Sequence, residues 1–297
     1  MRPGERVAIV SPSGPADPAR LRRGAARLAA LGADVVVGEH ALDRAGLPYL
    51  AGGDAARAAD LQAAWCDPAV TTVFCSRGGY GAARLLDLLD WDAMRAADRK
   101  TLVGSSDITA LHHVFGLELG VPTLHGPMPA CDVLAGEDGP EPATWEHLLA
   151  AFTGPPPPIG GTAVLSPGRV KAPVVGGNLS ILASMCGTRW PPAFAGKIVF
   201  LEDIGEAPYR IDRMLTQLLH SGAFDGVLGV ALGSWEGCGD PLPVLQDRLL
   251  PLGVPVLAGL AVGHGSPQLS LWLGALGAID TESCSLAGRF HGAHAAR

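Results

Sequence analysis

The 297-residue chain lacks any apolar run approaching the ~20 residues that a helix needs to cross a bilayer, so no membrane span is expected. Its first ten residues contain Glu5 and too short an apolar stretch for a secretory signal. No block of Lys or Arg is present and the formal charge is −7, so neither nucleic acid nor an anionic membrane is expected as a partner. The six cysteines (66, 75, 131, 186, 238 and 284) form no Cys-x-x-Cys pair and no metal-type pattern with histidine. Reduced thiols in a cytoplasmic protein are expected, with no metal and no cofactor. Repeats and low-complexity tracts are also missing.

What is present is an ordinary globular composition, 48% hydrophobic and 17% charged, which argues against long disorder. Forty glycines and 25 prolines point to many tight turns and glycine-lined loops. The length is large for one core, so two domains are expected.

The first half alternates strand and helix signals. Strands are predicted at 6–11, 34–38, 70–75, 101–103 and 121–124, and helices at 18–31, 54–65, 82–89 and 142–152. This alternation implies an α/β fold with a mostly parallel, Rossmann-like sheet, whose ligands gather beyond the carboxyl ends of the strands. Ser11, Arg77 and Ser106 all follow strands at such ends. Thr153-Gly154 and the four prolines 155–158, followed by Ile159-Gly160-Gly161, cannot continue a helix. The predicted division is therefore an N-terminal domain 1–153, a linker 154–165 and a smaller mixed α/β domain 166–297. In the second half of the chain, strands are predicted at 162–165, 170–175, 198–202, 227–232 and 254–262, helices at 211–220 and 243–250, and a hairpin at 269–287.

Gly104-Ser105-Ser106-Asp107 joins the short apolar strand to a helical segment. A serine in a sharp strand-to-helix turn is exposed above the sheet edge, beside amides that favour negative charge. Ser106 is thus a candidate nucleophile; a helix cap by Ser105, Ser106 or Asp107 explains the same residues. In Arg77-Gly78-Gly79-Tyr80-Gly81, three glycines in five residues allow backbone amides to close on an anion or oxyanion. No Gly-Lys-Ser/Thr follows, so a phosphate loop is not indicated. Arg77 alternatively joins a surface ion pair.

Glu202 ends the apolar run 198–201, which places a carboxylate near the interior, and strand alternation turns Asp203 the other way. Glu206 is the rival acid; for Glu202 a salt bridge to Arg210 or Arg213 is the structural alternative. His264 lies between two glycines after the run 256–262, a setting that core packing explains poorly. His125 is its nearest competitor, expected to support the site or to satisfy a backbone group. The adjacent His112 and His113 cannot both face one metal. Nucleophile, acid and base then stand in the order Ser106, Glu202, His264, in a cleft between the two domains.

Several segments together resemble the LD-carboxypeptidase family. They are Tyr49-Leu50-Ala51-Gly52 with Asp54 and Arg57; Arg77 to Gly81; Gly104 to Thr109; His125-Gly126-Pro127; Gly176-Gly177-Asn178-Leu179; Leu201-Glu202-Asp203 with Glu206, Pro208, Tyr209 and Arg210; and Gly263-His264-Gly265. The family's serine, glutamate and histidine align with Ser106, Glu202 and His264. The resemblance implies a Rossmann-like N-terminal domain, a distinct C-terminal domain, a homodimer, and an oxyanion hole from the amides of Gly79 and Asp107. It implies a serine carboxypeptidase that releases terminal D-alanine from murein tetrapeptide. Candidate substrate contacts are Arg77, Gly78, Asn178 and Glu206. Two positions depart from the family pattern. The residue before the serine is usually aromatic and here is Ser105; the segment after the histidine usually carries asparagine, and here Gln268 stands near that place. A change in substrate fit is expected there, with the chemistry kept.

Two other readings remain open, and a third is excluded. A microcin-immunity peptidase would cleave peptidyl or aminoacyl nucleotides and need an aromatic surface for the base, for which Trp235 or Trp272 could serve. A non-catalytic ligand-binding relative would keep the cleft. A class I glutamine amidotransferase needs a cysteine where Ser106 stands.

Overall fold

A computed structural model of the chain describes residues 3–44 and 46–288. Two sheets dominate it. The first has six strands in the order Leu271–Leu273, Thr123–His125, Thr101–Gly104, Val70–Cys75, Arg6–Val10 and Asp34–Val37. All neighbours are parallel except Leu271–Leu273, which runs antiparallel to Thr123–His125. Alternate residues of these strands face opposite sides, as the pleat requires. Val10, Val73, Cys75 and Leu102 join one apolar cluster, and Val7, Ile9, Phe74 and Val103 the other. Covered faces on both sides explain why the central strands Arg6–Val10, Val70–Cys75 and Thr101–Gly104 are almost wholly buried. Burying each such Val, Ile or Phe contributes about 1.5–3 kcal/mol relative to exposure.

The second sheet has eight strands. Its centre is Arg169–Asn178, Ile198–Ile204, Gly229–Glu236 and Val256–Ala258, mutually parallel. Phe200 faces one cluster while Val199 and Leu201 face the other, packed on the helix Pro208–His220. This alternation carries forward to Glu202 and Asp203.

The sheet-and-helix order follows the expected α/β pattern, with local differences. The segment 82–89 forms only a 3-10 turn, Ala82–Leu85. The segment 254–262 pairs only over Val256–Ala258, because Gly259 at a φ of 73° turns the chain. In the tail, Leu276–Asp280 and Ser285–Gly288 form the hairpin, whereas Leu271–Leu273 crosses back to the first sheet. Short helices at Trp91–Ala96, Asp132–Ala135 and Leu179–Ser184 add to those predicted. No helix among the described residues is long and apolar enough to cross a membrane.

Candidate active site

The turn after Thr101–Gly104 places Ser106 at a φ of 62°, in the left-handed region that non-glycine residues seldom enter. Only Cys284 shares this property among the described non-glycine residues. A strained serine between a strand and a helix fits a presented nucleophile better than a cap, and Ser105 before it makes no side-chain capping bond. The glycine loop lies directly against it: a Cβ at Gly78 would fall 2.7 Å from Ser106 Cβ, so only glycine fits without displacement. Gly79, at a φ of 116°, passes Gly14 closely enough that a Cβ would sit 3.2 Å from its Cα. Arg77 is exposed and reaches Pro15 O at 3.4 Å; among the described residues it joins no ion pair.

Three loops are held together beneath this turn. The Asp107 carboxylate accepts from Ser13 Oγ at 2.6 Å and from the Ala82 amide at 2.8 Å. The fully buried Arg57 guanidinium donates to Pro12 O and Gly81 O, and pairs with Asp54. Burial pushes the Asp107 carboxyl up, opposed by the bonds from Ser13 and Ala82 and by the charge of Arg57. Beside this loop, the exposed rings of Tyr49 and Tyr80 meet edge to face, 5.9 Å apart.

On the second sheet, Glu202 is fully buried and His264 Nδ1–H donates to its Oε2 at 2.6 Å. Burial opposes charge on the His264 ring, but the Glu202 bond and charge, with Asp203 and Glu236, outweigh it and raise the imidazole above the ordinary 6.5. Ser234 Oγ accepts from the amides of His264 (2.8 Å) and Gly265 (3.1 Å), fixing the loop. Gly263, at a φ of 126°, passes so close that a Cβ would lie 2.7 Å from Glu202 Oε2.

Two contacts bring the dyad to the serine turn. The Asn178 amide donates to Thr109 Oγ1, three residues after Ser106, and Asn178 pairs in register with Glu202. Gln268 Nε2 donates to Ser105 Oγ at 3.0 Å. Among the described residues the Ser106 hydroxyl has no hydrogen-bond partner.

The other singled-out residues are placed as follows. Asn178 caps the helix Leu179–Ser184 and donates to Asp203, so its side chain is engaged within the protein. Asp203 points away from Glu202, as strand alternation requires, and burial pushes its carboxyl up to about 6. Glu206 pairs with Arg210. His112 donates from Nε2 to Gly104 O and accepts from Thr123 at Nδ1, and burial pushes it down to about 4. His125 is completely buried against Phe200, ring centroids 5.2 Å apart, with neither ring nitrogen bonded to protein. Trp272, a candidate stacking surface, is buried in the core and donates to Ala151 O. Sequence reasoning missed Ser13 and Ser234; both follow apolar strand segments, but serines in turns are too common to single out.

A family model described as the LD-carboxypeptidase N-terminal domain matches residues 7–126, and one described as its C-terminal domain matches residues 171–279. A Streptomyces coelicolor protein with a carboxypeptidase designation is 49% identical over 96% of this chain and 94% of its own. The murein tetrapeptide carboxypeptidase of Pseudomonas aeruginosa is 36% identical, with 88% of each chain covered. The solved structure of the microcin C7 self-immunity protein MccF in complex with aspartyl sulfamoyl adenosine superposes with a TM-score of 0.87 at 26% identity, covering 98% of this chain and 97% of that one. With both domain models matched in order and relatives aligned end to end, the chain belongs to the LD-carboxypeptidase family of peptidases.

Proposed function

We propose that the protein is a serine carboxypeptidase that cuts the bond between an L-centre and a terminal D-residue, releasing D-alanine from murein tetrapeptide in peptidoglycan recycling. Ser106 Oγ attacks the carbonyl carbon while His264 Nε2 takes the hydroxyl proton. Glu202 holds the tautomer that leaves Nε2 free and stabilises the imidazolium. The amides of Gly79 and Asp107 receive the developing oxyanion. His264 then protonates the leaving amine of D-alanine, and water, activated by the same imidazole, releases the acyl group. An exopeptidase also binds a free carboxylate, a task we assign to the Gly78 amide, packed against Ser106, and to the preceding Arg77. Asn178 and Glu206 complete the proposed substrate contacts.

The observation that carries this reading is the 2.6 Å bond between a fully buried glutamate and a histidine, on a loop tied by Gln268 to the residue before Ser106. The name of the Pseudomonas aeruginosa relative supports the substrate. The test is mass spectrometry of products from two murein tetrapeptides. Release of alanine from the one ending in D-alanine, and not from the one ending in L-alanine, is the expected result.

A second reading is favoured by the likeness to MccF bound to aspartyl sulfamoyl adenosine: hydrolysis of aminoacyl or peptidyl nucleotides. Faster turnover of an aminoacyl sulfamoyl adenylate than of the D-alanine tetrapeptide would establish it instead. The domain division 1–153, 154–165 and 166–297, a homodimeric state and a cytoplasmic location belong to the same proposal. The family models, ending at 126 and resuming at 171, support the first, and sedimentation equilibrium tests the dimer.

A further inference from the structure

Ser105 and Gln268, the two positions that depart from the family pattern, are bonded to each other. Gln268 Nε2 donates to Ser105 Oγ at 3.0 Å, both side chains are buried, and the residues lie 163 positions apart. Ser105 immediately precedes Ser106 and makes no capping bond, so its hydroxyl is free for this contact. Gln268 follows His264 by four residues, and its own amide donates to Thr144 Oγ1 at 2.8 Å, on the helix Pro142–Thr153. The loop 264–268 is therefore anchored to Ser234 of the second sheet at its start and to the first half of the chain at its end. Among the described residues no other side-chain hydrogen bond joins residues 104–108 to residues 260–270.

We propose that the Ser105–Gln268 bond is a latch that sets the separation between the Ser106 hydroxyl and the His264 imidazole, with both residues acting as positioning residues. Without a hydroxyl at 105 the Gln268 amide has no such acceptor, and asparagine at 268 is one methylene shorter than the span requires. Since a displacement of about 1 Å in the reacting groups can cost as much as a hundredfold in rate, a latch that holds part of that distance should act on kcat. The inference rests on the reading of Ser106 as nucleophile and His264 as base.

The test is steady-state kinetics on the D-alanine tetrapeptide with Ser105→Ala, Gln268→Met and the double variant, each first shown to be folded by its melting curve. Each single variant should lower kcat about tenfold with KM within about twofold, and the double variant should fall no further than the worse single, because both remove one contact. Gln268→Asn, which keeps the amide but shortens the arm, should behave like Gln268→Met, while Ser105→Thr, which keeps the hydroxyl, should retain most of kcat. Unchanged kcat in the folded single variants, or losses that multiply in the double variant, would overturn the latch. Ser106→Ala run in parallel separates the two ideas. Activity surviving there removes the nucleophile reading, whereas a dead Ser106→Ala beside fully active latch variants removes the latch alone.

Discussion

Replacing Glu202 by glutamine changes one atom in a fully buried residue and removes the charge facing His264. The bond lost is charge-assisted, 2.6 Å long and shielded from water. A hydrogen bond to a charged group contributes about 1.5–3 kcal/mol, against about 1 kcal/mol for a neutral one. If that difference of about 0.5–2 kcal/mol is needed when the imidazolium forms, kcat should fall roughly 2- to 30-fold. The pH profile is the sharper assay. His264 must be neutral to accept the serine proton, so activity is lost as pH falls through its folded-state value. That value lies above 6.5 in the wild type, because the Glu202 bond and charge outweigh burial. In Glu202→Gln burial acts with its main opponent gone, so the acid limb of kcat/KM should move to lower pH. An acid limb that stays in place in the folded variant would refute the reasoning, since His264 would then not be the titrating base or Glu202 not its partner.

Other outcomes follow from the same geometry. Gly263→Ala forces an L-residue into a φ of 126° and a Cβ to 2.7 Å from Glu202 Oε2; a loss of about 2–3 kcal/mol in denaturant unfolding and at least a tenfold drop in kcat are expected. At position 106 the usual order of helix-forming residues should reverse: Ser106→Gly should be more stable than Ser106→Ala by about 1 kcal/mol in thermal melts, because a φ of 62° strains alanine and not glycine. His112 is held neutral, down at about 4 from the ordinary 6.5. The unfolded chain binds a proton there first, so the stability contributed by the neutral ring should be lost as pH falls from about 6.5 to about 4, by about 3 kcal/mol. Urea titrations of the wild type and His112→Gln should show that share of the acid sensitivity removed in the variant.

The strand-and-helix alternation was legible because both faces of each sheet are covered, which makes the strands short apolar runs between turns rich in glycine and proline. Glu202 could be placed inside from its apolar run and Asp203 on the opposite face by alternation; the two do face opposite ways, and Asp203 is buried as well. The strand 254–262 was over-read, since an apolar run does not reveal that Gly259 turns the chain after three paired residues. Short helices such as Leu179–Ser184 escape a periodicity argument because they span fewer than two turns. The return of Leu271–Leu273 to the first sheet, and the meeting of Ser105 with Gln268, depend on contacts more than 100 residues apart that no local pattern encodes. The strain at Ser106 was likewise hidden, because a backbone dihedral belongs to the fold and not to the residue type.

The account depends most on Ser106 supplying the attacking oxygen. Its most direct measurement is the rate of D-alanine release from the tetrapeptide by wild type and by Ser106→Ala, with melting curves taken on both. Release by the wild type and none above background by an equally folded Ser106→Ala is the predicted result; release at the wild-type rate by Ser106→Ala would contradict it.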